Sequence, residues 1–273
     1  MLYRYQFDPN TAIRVQMTNI WKVLVAEPVK TIDKYFPEII KDLLANITTS
    51  QWRVREGCCG ALADVLRGRG WTQISPYISQ IWILSFRALD DVKESVRSSA
   101  LTACKRLGKL SIHLCKTSES RVEGTGPIDI LLPCLIEHGL LSNVEDIRAL
   151  SLGVLLELIK EAGIALRPHA VTLTMLLLEG LSGLESPMIN YFSARLTNDN
   201  HQDQLDAMRV AASRDSPLSA AITKLVPFLD ATVLPDLIPK LIDMMKRGLG
   251  PATKSGTAPL HLYFFSIFFF HRI

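Results

Sequence analysis

The chain has little of what chemistry usually needs in fixed constellations. No CxxC, HExxH or GxSxG occurs in its 273 residues, and the six histidines are dispersed. His113, His138 and His169 fall near expected helix ends, where capping or exposure is their expected role. No stretch approaches the roughly 20 apolar residues of a membrane-spanning helix. The opening MLYRYQFDPN lacks the apolar run of a signal peptide. The formal net charge is only +3 and the basic residues are mixed with acids. That argues against a nucleic-acid partner, which needs Lys and Arg gathered into a stripe. Pairs such as Arg53/Arg55 and Arg67/Arg69 read as solvated faces. Cys58, Cys59, Cys104, Cys115 and Cys134 are odd in number and lack His partners at ligand spacing. They are expected to be small buried hydrophobes in a reducing compartment, not a disulfide framework or a zinc site.

What the chain does have is apolar residues, 48% against 21% charged. This supports a substantial core and argues against disorder. The apolar residues also repeat. A β-branched residue followed by Arg occurs at Ile13-Arg14, Val54-Arg55, Val96-Arg97 and Ile147-Arg148, at intervals of 41, 42 and 51 residues. The long interval contains KTSESRVEGTGP, a polar insertion near 116–127, and removing about ten residues restores the period. Stepping +4, +3, +4 from each β-branched residue gives Ile13, Met17, Ile20, Leu24; then Val54, Cys58, Ala61, Val65; then Val96, Ala100, Ala103, Leu107; then Ile147, Ser151, Val154, Leu158. This is the stripe of an amphipathic helix. All four stripes are expected to be core.

From the second to the fifth unit, another helical segment comes first, at 28–47, 71–89, 127–142 and 164–181. These carry Pro37, Pro76, Pro133 and Pro168, expected to bend the first helix of each pair. Two helices per 40–47 residues is the HEAT/armadillo period. The expected fold is therefore all-α: an α-solenoid of about five HEAT-like helix pairs plus a truncated sixth, over residues 1–256. The bent first helix and the acid-then-Arg turn resemble HEAT repeats, which implies an acid–Arg ladder between neighbouring repeats, and Asp90/Asp91 with Arg97 and Glu145/Asp146 with Arg148 fit that pattern. Arg55 has no acid in its own turn, which puts the ladder in doubt there. The competing assignment gives these arginines to a ligand.

The pattern degrades twice. Residues 193–217 are rich in Asn, Asp, Gln and Ser and read as a long insertion. Residues 257–273 lose the stripe, and five of the ten phenylalanines fall within 264–270. This tail is expected to be divergent and outside the solenoid, such as the product of variant splicing or read-through. It would promote aggregation if exposed. Neither end offers the polar cap a solenoid needs, so the chain reads as a segment of a larger protein. GLGPATKS at Gly248–Ser255 resembles a phosphate-binding loop, but Thr253 replaces the required Gly and Pro251 removes a backbone N–H. A nucleotide-binding enzyme is thus a remote alternative. No catalytic, cofactor-binding, metal or binding residue is assigned, and no cofactor is expected.

The segments QWRVREGCCGALADVLRGR, LDDVKESVRSSALTACKRL, NVEDIRALSLGVLLELIKEAG and LIPKLIDMMKRGLGPATKSG resemble the C-terminal part of the large HEAT-repeat proteasome adapter and scaffold family. The resemblance covers roughly residues 1–256. It implies a non-catalytic adaptor that binds the 26S proteasome and links it to motor, endosomal or endoplasmic-reticulum proteins, acting in proteasome quality control. It also implies a protein of the cytoplasm and nucleus, peripheral at endoplasmic reticulum, endosomes or centrosome. A different HEAT scaffold, transport-receptor-like or phosphatase-scaffold-like, is the other reading of the periodicity.

Overall fold

A computed structural model describes residues 2–116, 126–183, 216–230 and 232–246, and all of its regular elements there are helical. It is all-α, of the α-solenoid class built from HEAT-like pairs. The chain divides into two compact units, Met1–Glu161 and Ala162–Ile273.

In the first unit the short helix α1 (Leu2–Tyr5) is followed by α2 (Thr11–Leu24), started by Asn10, whose side chain accepts from the Ala12 and Ile13 amides. Then come α3 (Pro28–Lys34), α4 (Phe36–Asn46), α5 (Trp52–Val65), α6 (Trp71–Ile74), α7 (Ile78–Leu89), α8 (Glu94–Lys116), α9 (Pro127–Cys134) and α10 (Glu145–Glu161). Two layers result. The second helices stack in the order α5, α8, α10, while α4 lies on α5 and α7 on α8, and α7 also meets α9. Gly68, at φ +66°, ends the turn after α5 in the left-handed conformation that glycine tolerates.

The prolines act more sharply than bends. Pro37 sits in the first turn of α4, where its missing N–H costs nothing, and the expected 28–47 helix is split into α3 and α4. Pro76 falls between α6 and α7. Pro133 lies inside α9, and the helix continues as a π-helix over Leu135–Leu140. Pro168 lies within a 3-10 helix, Gly163–His169.

The second stripe is buried from Cys58 onward, with Val54 half-buried, and Val96, Ala100, Ala103 and Leu107 are all buried. In α10, Ile147, Ser151 and Leu158 are buried and Val154 is half-buried. Trp82 is fully buried and donates its indole N–H to Ser111 at 3.3 Å. Small residues set the spacing. A Cβ on Gly108 would lie 2.9 Å from a Val154 methyl, and one on Gly139 would overlap the Ser151 hydroxyl. The first stripe departs from expectation. No residue of α2 is buried, and Ile20 and Leu24 are 41% and 68% exposed. Ile13 and Met17 are half-buried, and α1 packs against α2.

The second unit contains the 3-10 helix Gly163–His169, α11 (Ala170–Gly183), α12 (Pro217–Leu225), a 3-10 turn Val226–Phe228 and α13 (Leu234–Lys246). Ser216 caps α12 by accepting from the Leu218 amide, with Pro217 in the first turn. The core joins α11 to α12 and α13 through Leu173, Leu177, Leu181, Ile222, Leu225, Leu237 and Leu241. The insertion at 193–217 lies almost wholly outside the described residues, as do most of 116–127, the whole of Gly248–Ser255 and the tail 257–273.

Candidate interaction surface

The repeated Arg does one thing in all four places. Its guanidinium donates to the backbone carbonyl six residues earlier: Arg14 to Asp8 at 3.3 Å, Arg55 to Thr49 at 2.8 Å, Arg97 to Asp91 at 2.7 Å and Arg148 to Ser142 at 2.9 Å. Arg55 and Arg97 also reach the next carbonyl, of Ser50 and Val92. Turn carbonyls at the start of a helix have no helical partner, and the planar guanidinium supplies donors in a fixed fork. The Arg is thus primarily a clasp on the turn before its own helix.

The ladder is a correction in both directions. Arg97 pairs with backbone carbonyls, not with the carboxylates of Asp90 or Asp91, and Arg148 bonds Ser142 rather than Glu145 or Asp146. Arg55, the doubtful case, makes the inter-repeat staple. Its Nε and second terminal nitrogen donate to the two carboxylate oxygens of Asp91 at 2.6 and 2.9 Å, with side chains only 17% and 9% exposed. The register explains this. A carboxylate reaches the preceding repeat's Arg when it stands six residues before its own repeat's Arg. Asp91 occupies that position, whereas Ser142 occupies it in the next repeat. Glu145 and Asp146 already belong to the first turn of α10. Asp91 also accepts from the Lys93 amide at 2.8 Å. The Arg55 hydrogen bond is the main cause holding its carboxyl below the usual carboxylate range, against the opposing effect of burial. Lys93 lies 5.1 Å over the Trp52 ring, a second link between the same two turns.

Arg69 is a second correction, for it is no solvated charge. It is buried, donates from Nε to the Val65 carbonyl at 2.8 Å, pairs with Asp33, and lies 4.8 Å over the Phe36 ring. It ties the end of α5 to α3 and α4. No local sequence signal marks it, because its partners are 33 to 36 residues away.

All five cysteines are free, four of them buried and Cys115 half-buried. Burial pushes the thiols of Cys58 and Cys134 up to about 11, those of Cys104 and Cys115 up to about 12, and that of Cys59 higher still. Such thiols act as small hydrophobes, not nucleophiles. Among the described residues no cluster of His, Cys, Asp or Glu could hold a metal ion, and no helix is long and apolar enough to cross a membrane.

An open groove of about 790 Å³ runs between the second helices α8 and α10. The two helices run in the same direction: Gly108 faces Val154, and Lys116 donates to Glu161 at 2.6 Å. The surface is a stapled array of helices with a groove, and among the described residues it carries no constellation of nucleophile, base and oxyanion donors.

A family model described as the HEAT-repeat domain of proteasome adapter and scaffold protein ECM29 matches residues 166–262. Human proteasome adapter and scaffold protein ECM29 is 43% identical over 257 residues, 94% of this chain and 14% of the human protein. Along nearly its whole length the chain is similar to ECM29 proteins. The Drosophila melanogaster ECM29 homolog is 30% identical over 94% of the chain and 15% of its own length. The Saccharomyces cerevisiae proteasome component ECM29 is 31% identical over 93% of the chain and 14% of its own length. The chain therefore spans about one seventh of the curated ECM29 relatives it matches. No solved structure matches. The ECM29 family model falls wholly within the second unit, whereas the Arg repeat that signals HEAT architecture in the sequence lies in the first.

Proposed function

We propose that this chain is a stretch of a non-catalytic scaffold that binds the 26S proteasome and links it to other proteins. The observation that carries this is similarity along 93–94% of the chain to proteins named as proteasome adapters, components or scaffolds. The architecture supports it: stacked helix pairs offer long surfaces to protein partners, and the charged groups singled out by the structure are occupied in clasping turns. The arginines are structural in this reading, not ligand-binding. A role at motor, endosomal or endoplasmic-reticulum proteins, and residence in cytoplasm and nucleus, belong to the same proposal. Unpaired, buried cysteines accord with a reducing compartment.

The test is a native-gel shift of purified 26S proteasome with the purified chain. Co-migration, and retention of proteasome subunits when the chain is immobilised, is the expected result. A folded chain that neither shifts nor retains proteasome at micromolar concentration would refute a binding determinant in this stretch. Thermal scans with ATP address the remote enzymatic alternative at Gly248–Ser255, since a ligand at 100 times its dissociation constant adds ~2.7 kcal/mol to stability. An ATP-induced shift would favour that alternative.

A further inference from the structure

The groove between α8 and α10 has the makings of a specific docking site. Its walls are Leu101 and Ile112 on α8 and Leu150 and Val154 on α10, all half-buried rather than sealed. Ala149 and Gly153 on the α10 side are exposed, and a Cβ added at Gly153 meets nothing within 4 Å. A partner backbone can therefore approach α10 closely. The groove follows α8 from Arg97 to Ile112, about 22 Å at 1.5 Å per residue, or roughly four helical turns.

Both walls are helices, whose backbone groups are already paired within each helix. They offer an extended peptide no row of N–H and C=O groups. A backbone entering such a groove must bring its own hydrogen bonds, and a helix does so. The charges choose the kind of helix. Lys105 and Lys109 stand on the α8 rim, with Arg106 beside them, and none of the three has a hydrogen-bond or ion-pair partner among the described residues. Across the groove Glu157 is already held by Lys160 at 2.5 Å. Glu94 and Asp146 line the end of the groove where both helices begin, so the uncompensated positive charge is confined to its middle, on the α8 rim.

We propose that the α8–α10 groove receives an amphipathic helix of a partner protein, apolar on the face it buries and acidic along the edge that meets Lys105 and Lys109. This goes beyond proteasome association and does not rest on it, since the groove and its charges belong to this chain alone.

The test uses the whole chain and two fluorescein-labelled helical peptides of about 16 residues. Both carry the same leucine stripe; one has Glu along one edge, the other Lys. Fluorescence anisotropy should show the Glu-edged peptide binding at least about tenfold more tightly than the Lys-edged one. Gly153→Leu fills the groove while favouring the helix, and should abolish binding with the circular dichroism unchanged. Lys105→Glu with Lys109→Glu changes only exposed side chains and should reverse the peptide preference, which keeps the test valid if Gly153→Leu fails to fold. Equal binding of the two peptides, binding of neither, or binding that survives Gly153→Leu overturns the proposal. A concentration-dependent dimer that Gly153→Leu dissolves would assign the groove to a second copy of the chain, and also overturns it.

Discussion

Asp91→Asn probes the staple that the structure places between the second and third repeats. The substitution keeps shape but removes the charge that receives two guanidinium hydrogen bonds, at 2.6 and 2.9 Å. Breaking a fully buried ion pair costs about 3–5 kcal/mol because one charge is left stranded. Here the side chains retain 17% and 9% exposure, and Arg55 keeps its bonds to the Thr49 and Ser50 carbonyls. The expected loss is therefore smaller, about 2–3 kcal/mol. Glu157→Gln is the control: it breaks the Lys160 pair, whose side chains are 48% and 50% exposed, and should cost under about 0.5 kcal/mol. Urea unfolding followed by circular dichroism reads the difference, and hydrogen exchange should show it concentrated around the turn between α7 and α8.

The pH dependence of Asp91→Asn is a second, independent check. The Asp91 carboxyl is held below its ordinary value, chiefly by the Arg55 hydrogen bond. A depressed acid contributes its full stability above the unfolded value of about 3.9, and loses it as pH falls through the lower folded value. The native chain should thus lose this increment only below about pH 4, and Asp91→Asn should lack that part of the acid limb. Equal costs for Asp91→Asn and Glu157→Gln, or an unchanged acid limb, would refute the staple.

Glycines predict opposite signs. Gly139→Ala would drive a Cβ into Ser151 and should cost about 1–3 kcal/mol. Gly153→Ala, in open space within α10, should stabilise by up to about 1 kcal/mol, both read from urea midpoints. Leu158→Ala, fully buried, should cost about 2–5 kcal/mol, whereas Leu24→Ala, 68% exposed, should cost under about 0.5 kcal/mol in the same assay. In native protein at pH 8, iodoacetamide should leave Cys59 and Cys104 unmodified, while urea exposes all five thiols to alkylation as read by intact mass.

Much of this molecule was written locally. The stripes at Val96–Leu107 and Ile147–Leu158 repeat every three to four residues, and that spacing alone puts their apolar side chains on one face of a helix. The recurrence of a β-branched residue and Arg marked where each second helix begins, and the stretches quoted from this chain were enough to suggest the family. Tertiary structure decided the rest. The stripe of α2 has the same spacing as the others, yet Ile13 and Met17 are only half-buried and Ile20 and Leu24 are exposed, because burial depends on a neighbouring layer that periodicity cannot specify. Arg55 and Asp91 stand 36 residues apart, so their pairing follows from how two repeats stack, not from the acids beside each Arg. Arg69 is buried by Phe36 and Asp33 for the same reason. The α8–α10 groove, too, exists only once Gly108 and Val154, 46 residues apart in the sequence, fix the approach of their two helices.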